Sequence, residues 1–265
     1  MAPSKLFLTF IVVALSTACL RAQEATWELG LAGGGAGYMG DLNQNNPLTI
    51  SGISAGLYAK RNFNQYLGLR FNYTHGRIGA KDSESGNAQF RERNLAFKTS
   101  LNEFSALLDL NLFDFKLGGG NRYLTPYLFA GAGLVIFKPT FTWDGETYRL
   151  DRMATEGQET GYKNAVLTIP YGVGIRYNYK DTWCVFSEIG YRTPMTDYLD
   201  DVSGKYPEVP VIVGNQQNPY NLSDPSLNKI GAAGTQRGDF RKRDTYLFVS
   251  VGISFTFVTS KCYSF

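Results

Sequence analysis

The feature that most constrains this chain is the regular alternation of side chains in its last long segment. From Thr245 to Phe257, one face carries Thr, Leu, Val, Val, Ile, Phe and Phe, and the other carries mostly small residues. Successive side chains of a β-strand point to opposite faces, so this pattern predicts a strand with one apolar and one small or polar face. About ten residues suffice for a tilted strand to cross a bilayer, and this segment is long enough.

Further segments repeat this alternation, and in two of them, 167–179 and 183–192, the charged residues are confined to one parity. The segments are 27–41, 50–61, 66–77, 101–115, 124–137, 167–179 and 183–192. Together with the last segment they predict an all-β fold, an eight-stranded antiparallel up-and-down transmembrane β-barrel.

The connections between these segments alternate in length. Residues 62–65, 116–123 and 180–182 are short turns, whereas 78–100, 138–165 and 194–243 are long loops. Outer-membrane barrels place short turns in the periplasm and long loops outside. We therefore expect both termini in the periplasm. A secreted β-sandwich, the alternative, has no reason to sort its loops in this way.

The first residues predict export. Lys5 precedes an apolar run that ends at Leu15 and is followed by small residues, which is the layout of a secretory signal peptide over 1–22. Cleavage after Ala18 and lipidation of Cys19 are the alternatives. Residues 23–265 then form the barrel, with long outer loops and a short periplasmic C-terminal tail. No later apolar stretch approaches the roughly 20 residues of a membrane-spanning helix, so the expected location is the outer membrane of a Gram-negative bacterium.

The polar parity places charged side chains inside the barrel. These are Glu28, Lys60, Arg70, Glu103, Asp109, Arg176, Glu188 and Arg192, with as many acids as bases. An eight-stranded barrel is just wide enough to hold its own side chains. We therefore predict a plugged polar lumen in which these charges pair, with a proton or ion path as the alternative.

Catalytic and ligand-binding chemistry finds little support in the sequence. His75 is the single histidine and has no identifiable nucleophile partner, so no catalytic residue, cofactor or metal is predicted. A lipid-modifying enzyme is the alternative. Asp197, Asp200 and Asp201 form either a solvated acidic loop, which we favour, or a calcium site. The net charge of +3 is too small to argue for nucleic acid.

Cys184 and Cys262 are the thiols of the mature chain in an oxidising compartment. Each adjoins the periplasmic end of one of two neighbouring strands, so a disulfide between them is predicted. The alternative is a C-terminal tail that runs away from the barrel.

Several motifs resemble one family. The strand motif Glu188-Ile189-Gly190-Tyr191-Arg192 is followed by a loop that contains Asp197, Tyr198, Leu199, Asp200, Asp201, Val202, Ser203 and Tyr206. Further matching segments are 38–43, 155–158, 169–177, 237–239, 244–246 and 261–263. This pattern resembles the PorG family of outer-membrane proteins associated with type IX secretion.

The resemblance implies a non-enzymatic barrel that contacts the periplasmic PorK and PorN ring, while cargo passes through a separate translocon. A general small barrel for envelope stability or adhesion is the alternative. We hypothesise that basic residues at the periplasmic rim dock the ring, or else meet anionic lipid. These are Arg61, Lys116, Arg122, Lys180 and Lys261. The loop motif is expected to fold back over the barrel mouth, with Asp197 or Asp201 pairing with Arg192.

Overall fold

The computed structural model describes residues 26–257, apart from 119, 160 and 240–242. The signal peptide predicted over 1–22, Lys261 of the predicted rim and Cys262 of the predicted disulfide lie outside the described residues. Eleven strands are present in this part of the chain. They are β1 Thr26–Met39, β2 Ile50–Asn62, β3 Leu67–Lys81, β4 Ala96–Asn111, β5 Leu124–Trp143, β6 Glu146–Arg149, β7 Ala165–Tyr179, β8 Trp183–Pro194, β9 Ile212–Val213, β10 Tyr220–Asn221 and β11 Thr245–Phe257.

Eight of these strands close into a barrel. Each of β1 to β5, β7, β8 and β11 pairs antiparallel with its two neighbours, and β4 pairs with β5 to complete the ring. The seam lies between the first and last strands, where Trp27 pairs with Phe257 and Met39 with Thr245. The predicted eight-stranded antiparallel barrel is therefore confirmed. A closed sheet leaves no unpaired strand edge.

The two faces of the barrel wall differ as the alternation predicts. Outward side chains such as Leu29, Ile53 and Val251 are exposed, whereas inward neighbours such as Glu28 and Ser254 are almost fully buried. The outer wall is thus a continuous apolar belt, as lipid contact requires. In the described residues, no helix has the length and apolar character needed to cross a membrane.

Strand bounds differ from the prediction mainly in β4. It ends at Asn111, although the alternation continued to residue 115, and Phe115 is instead buried in the following turn. The β3 and β5 strands run further than predicted, to Lys81 and Trp143. Beyond a membrane, polar side chains suit both faces of a strand, so the apolar alternation that predicted the segments does not mark these extensions.

The remaining elements lie at one end of the barrel, here called the long-loop end. The opposite end, with its short connections, is the turn end. At the long-loop end β6 pairs with the extension of β5, and β9 pairs with β10. A short helix, α1 (Ala88–Arg93), begins where the Asn87 side chain accepts a hydrogen bond from Gln89 N.

Candidate functional site

Asp109 lies among three cations inside the barrel, towards the turn end. Lys60 Nζ is 3.0 Å and Arg176 Nη2 is 2.9 Å from its Oδ2 atom, and Arg70 Nε is 3.2 Å from Oδ1. Arg70 also reaches Glu188, with Nη1 and Oε2 2.8 Å apart. These side chains belong to five of the barrel strands, so the ion pairs connect walls that do not adjoin in the sheet.

Glu28 is held by neutral donors instead of cations. Its carboxylate accepts hydrogen bonds from Tyr58 Oη at 2.6 Å, Asn62 Nδ2 at 3.2 Å and Ser254 Oγ at 2.6 Å. Because these donors lie on β2 and β11, Glu28 joins the closing strand β1 to both of its neighbours. A buried carboxylate with several donors is stabilised in its charged form.

Inside the barrel, aromatic rings lie against glycines. A Cβ placed on Gly76 would lie 2.6 Å from the Phe248 ring, and one on Gly174 would lie 2.5 Å from the Tyr127 ring. The guanidinium of Arg176 stacks 3.8 Å from the centre of the Tyr127 ring. Large aromatic side chains thus face glycines inside the barrel, and the missing side chains of the glycines leave room for the rings.

Residues 196–206, here called the cap, cover the long-loop end of the barrel. Leu199 and Val202 are 0% and 1% exposed and join a buried cluster that includes the inward-facing Phe97 and Leu101. The cap is also fixed by a hydrogen bond of 2.6 Å from Thr99 Oγ1 to the Leu199 carbonyl. The loop motif therefore lies over the mouth, with its apolar residues directed inwards.

Glu156, from the loop after β6, and Arg237, from a later part of the cap's own loop, hold the cap. The Glu156 carboxylate accepts hydrogen bonds from Ser203 N at 3.0 Å and Gly204 N at 3.1 Å. Arg237 Nη1 donates to Glu156 Oε1 at 3.1 Å and to the Asp201 carbonyl at 2.6 Å. Both segments were matched to the family by the sequence, but neither residue was assigned this role.

The Asp201 side chain is turned away from the lumen. Its carboxylate accepts hydrogen bonds from Thr155 Oγ1 at 2.6 Å and Tyr162 Oη at 2.8 Å, and Arg237 Nη2 lies 3.8 Å away. Burial raises the pKa of Asp201 to about 6, although the Arg237 guanidinium opposes the shift. Asp201 thus connects the cap to the loop that follows β6.

The predicted pairing of Arg192 with Asp197 or Asp201 is wrong. Arg192 Nε lies 3.4 Å from Glu103 Oε2, and Tyr246 Oη donates to the same oxygen at 2.8 Å. Glu103 projects from β4 directly below the cap and contacts Arg192, whereas Asp201 contacts Arg237.

The outer aromatic residues of the motif also anchor the cap. The Tyr198 ring stacks on Tyr162, with ring centres 4.4 Å apart. Tyr206 is buried, and its backbone nitrogen donates to the Thr235 carbonyl at 2.9 Å. One end of the motif therefore packs against the loop after β6, and the other against a later part of its own loop.

Three carboxylates meet beneath the cap in an arrangement that the sequence did not predict. Asp41, Asp197 and Asp244 offer oxygen atoms that all lie within 4.8 Å of one another. Burial raises the pKa of Asp41 to about 7 and of Asp197 to about 6, and raises the pKa of Asp244 well above its usual range. Asp239 N donates a hydrogen bond to Asp41, and Leu199 N donates one to Asp244.

The expectation of a solvated acidic loop is wrong, because Asp200 and Asp201 are buried, and the cluster of three carboxylates also differs from the calcium alternative. Asp200 accepts a hydrogen bond from Tyr38 Oη, and Asp201 contacts Thr155 and Tyr162, so the two do not converge with Asp197 on one point. Carboxylate oxygens at such spacing suit a hard cation or a shared proton. The prediction that the site holds no metal stays a prediction.

Arg93 and Asp82 form a further buried pair that sequence analysis missed. Arg93 Nε lies 2.6 Å from Asp82 Oδ2, and its Nη2 donates to Oδ1 at 2.9 Å. The same guanidinium donates to the carbonyls of Arg237 at 2.9 Å and Asp41 at 3.1 Å. Both partners lie in a loop without periodicity, so no sequence signal marked them.

The basic residues at the turn end are less free than the sequence implied. Lys116 Nζ lies 2.9 Å from Asp181 Oδ1 and donates to Tyr123 Oη at 2.7 Å. Arg122 Nε lies 3.4 Å from Asp114 Oδ1. Asp114 joins this rim because β4 ends earlier than predicted, so Asp114 and Asp181 both lie beside the rim cations.

Two other rim cations contact aromatic rings instead. The Arg61 guanidinium lies 5.3 Å from the centre of the Trp27 ring, and Lys180 Nζ lies 5.2 Å from that of Tyr179. Neither has an acidic partner within 4 Å in the described residues. These two keep their charge available at the membrane boundary.

His75 and Cys184 have surroundings unlike those of a catalytic centre. His75 Nδ1 lies 3.0 Å from Asn102 Oδ1, and within the described part of the chain no serine is hydrogen-bonded to it. Cys184 is buried at the turn end of β8, next to Phe115 and Leu117. Because Cys262 lies outside the described residues, the disulfide stays a prediction.

A closed barrel with an apolar outer wall and paired charges inside defines the class of small transmembrane β-barrels, which in bacteria are outer-membrane proteins. The chain belongs to the family described as Domain of unknown function (DUF6089), which matches residues 4–265. No match is found among curated proteins.

Several solved structures are similar to this chain. The attachment invasion locus protein Ail of Yersinia pestis, in complex with sucrose octasulfate, is 13% identical, with a TM-score of 0.43 and coverage of 88% of this chain and 99% of its own. Neisserial surface protein A is 12% identical, with a TM-score of 0.45 and coverage of 87% and 97%. A major outer membrane protein from Thermus thermophilus is 10% identical, with a TM-score of 0.45 and coverage of 88% and 100%.

Proposed function

We propose that this chain is an outer-membrane barrel with periplasmic termini and turns, and that it serves as a non-enzymatic scaffold of a type IX secretion system. In this role it docks a periplasmic ring of the PorK and PorN kind to the membrane. The observation that carries the proposal is that several of the segments resembling the PorG family meet at the cap. Residues 38–43, 155–158 and 237–239 are distant in sequence, and each of these segments contacts the cap.

Such convergence supports a shared structure, since a chance resemblance would not select segments that touch. Each segment supplies a named contact: Tyr38 to Asp200, Glu156 to Ser203, and Arg237 to the Asp201 carbonyl. The motif is therefore an architectural element, and not a row of side chains presented to a ligand.

The interior also favours a scaffold. Asp109 is surrounded by Lys60, Arg70 and Arg176, and aromatic rings occupy the space above them. A barrel whose charges are paired with one another has no free charged path for solute. Its useful surfaces are then its two ends.

The turn end is the surface that would meet a periplasmic partner. Arg61 and Lys180 keep their charges free of acids, and Phe113 is 42% exposed beside Arg122. A mixed basic and apolar rim suits an acidic partner, because charge orients the encounter and apolar contact adds affinity.

The test is recovery of the ring from crosslinked cell envelopes through an affinity tag inserted at Gly145, in the exposed turn between β5 and β6. The variant Lys116→Glu/Arg122→Glu/Lys180→Glu reverses three rim charges. A matched control, Arg152→Glu/Lys163→Glu/Lys205→Glu, reverses three exposed charges in the long loops.

We expect the wild type and the control to recover PorK-type and PorN-type proteins, and the rim variant to recover at least tenfold less. Unchanged recovery by a correctly inserted rim variant would exclude docking through the rim. Recovery of lipid and general envelope proteins alone by the wild type would exclude the scaffold role.

The second candidate is a barrel for envelope stability or adhesion. Leu227 is 93% and Val209 is 79% exposed at the long-loop end, where apolar side chains could contact another surface. A deletion strain separates the two functions. A scaffold is required for export while the envelope stays sound, whereas an envelope protein is required for detergent resistance or attachment while export continues.

A further inference from the structure

The outward charges of the barrel strands are unevenly distributed. The outward positions of β1, β7, β8 and β11 carry no charged residue in the described strands. Outward positions of β3, β4 and β5 carry Arg77, Lys81, Lys98 and Lys138, all near the long-loop end. No acid occupies an outward position in any of the eight barrel strands described. Apart from Arg61, which lies outward on β2 at the turn end, the outward basic residues therefore form a patch on one side of the outer wall.

The strand register brings three of these cations together. Arg77 pairs with Ser100, which pairs with Lys138, so these positions form one row across β3, β4 and β5. Lys98 lies in the next outward row, paired with Gly79 and Thr140. Neighbouring strands are about 4.8 Å apart, so the row spans about 10 Å and the long side chains can reach one ligand.

These three cations have no acidic partner. Arg77, Lys98 and Lys138 are exposed, and none of them forms an ion pair with the described residues. The nearby Lys81 is paired with Glu84 at 3.3 Å, and Arg149, which pairs across from Thr140, is occupied by Asp151. The nearby acids Glu84 and Asp151 are thus already in ion pairs, and the patch keeps a net positive charge.

The height of the patch is set by the residues beneath it. Tyr73, Phe104 and Leu134 form the apolar row that faces lipid, and His75, Asn102 and Ile136 form the row above. Arg77 and Lys138 lie in the next row and Lys98 in the row after it, where the wall leaves the hydrocarbon. This is the level of lipid headgroups.

A cavity adjoins the patch. It measures about 1160 Å³ and lies between the loop after β1 and the extension of the β3–β4 hairpin. Arg77 and Lys98 line it together with Asn46 and Asn87, and Ile50 and Ile53 line its lower side. The cavity therefore offers cations and amides for a phosphorylated sugar, and apolar side chains for the start of an acyl chain.

We propose that the patch of Arg77, Lys98 and Lys138, with this cavity, binds the phosphorylated sugar headgroup of an outer-leaflet glycolipid. The inference rests on the proposed placement of the long loops outside the cell. Cations on an outer wall bind phosphate as hydrogen-bonded charge pairs, which are stronger than neutral contacts. The bound lipid would fix one side of the barrel in the leaflet and leave the opposite side free.

The test is binding of bisphosphorylated lipid A to the purified full-length barrel in detergent, measured by native mass spectrometry. The variant is Arg77→Gln/Lys98→Gln/Lys138→Gln, and the control is Arg152→Gln/Lys163→Gln/Lys205→Gln, which removes three exposed loop charges. Circular dichroism and heat-dependent gel migration establish that both are folded barrels.

We expect the wild type and the control to bind equally, and the patch variant at least tenfold more weakly. Dephosphorylated lipid A should also bind at least tenfold more weakly, and inorganic phosphate at millimolar concentration should not displace the lipid. Equal binding by the patch variant would overturn the proposal, and so would displacement by inorganic phosphate, which would mark a simple anion site.

This outcome is independent of the ring experiment. Lipid binding without ring recovery would support the lipid site and exclude the scaffold role. Ring recovery without lipid binding would support the scaffold role and exclude the lipid site.

Discussion

The Tyr38 hydroxyl donates a hydrogen bond to the Asp200 carboxylate and so joins the first strand of the barrel to the cap. Both side chains are almost fully buried, at 1% and 2% exposure. The same hydroxyl lies 3.4 Å from Asp244 Oδ1, so one phenol serves two carboxylates.

Replacing this hydroxyl should loosen the cap. In Tyr38→Phe, Asp200 and Asp244 lose a buried donor, which typically costs about 1–3 kcal/mol. We expect faster tryptic cleavage at Lys205 and faster amide exchange in the cap. In the control Tyr191→Phe, which removes an exposed hydroxyl 3.4 Å from the Pro47 carbonyl, both rates should stay unchanged. Equal effects of the two variants would mean that Tyr38 does not hold the cap.

Asp109 should be the most sensitive of the lumen acids. Asp109→Asn leaves Lys60, Arg70 and Arg176 buried with reduced compensation, and breaking a buried ion pair costs about 3–5 kcal/mol. We expect a lower urea midpoint for unfolding from detergent micelles. Glu188→Gln, which affects one ion pair with Arg70, should cause a smaller shift. A larger shift for Glu188→Gln would show that the charge network is centred elsewhere.

The packing of Phe248 against Gly76 can be tested by a double-mutant cycle. The new methyl group of Gly76→Ala would lie 2.6 Å from the Phe248 ring, and overpacking costs about 1–3 kcal/mol. In a Phe248→Leu background most of this cost should disappear. Gly86→Ala, where no atom lies within 4 Å, should change the free energy of unfolding by less than about 0.5 kcal/mol. Additive effects at the two positions would contradict the contact.

Cap stability should depend on pH through Asp201. Its pKa in the folded protein is raised from 3.8 to about 6 by burial, so the folded cap holds the proton more tightly than an open cap does. The stabilisation is fully present below the ordinary pKa and is lost as the pH rises through about 6. Between pH 5 and pH 8 we expect cap amides, corrected for intrinsic exchange, to lose about threefold or more of their protection.

The control for this dependence is Asp201→Asn, which removes the titrating group. Its cap should show a shallower change over the same interval. Protection that increases with pH in the wild type would contradict the raised pKa.

The barrel could be predicted from the sequence because the two faces of a membrane-crossing strand require different residue types, which therefore alternate along the chain. The segment Thr245–Phe257 was predicted with its observed bounds for this reason. The end of β4 could not be predicted, because Phe115 keeps the parity of the strand but is buried in the turn that follows it. Beyond the lipid the constraint disappears, and the extensions of β3 and β5 carry no such mark.

The site was predictable only in part, for a related reason. Parity assigns Asp109 and Arg176 to the interior, but their contact depends on strand stagger, which single residues do not reveal. The acids of the cap contact partners such as Arg237 because of the way the loops run. Loop sequences have no periodic pattern, so these contacts could not be predicted. The expectation for Arg192 was wrong because Glu103, on another strand at the same height, lies 3.4 Å from the Arg192 guanidinium.

The pairing of β1 with β11 has a consequence for how the protein is made. The two strands that seal the wall, Trp27 to Met39 and Thr245 to Phe257, are separated by almost the whole described chain. Until the last of them arrives, the growing sheet has two open edges that can pair with any other strand. An exported chain of this kind must therefore be kept from premature pairing along its whole route, and insertion is completed in one late, long-range event.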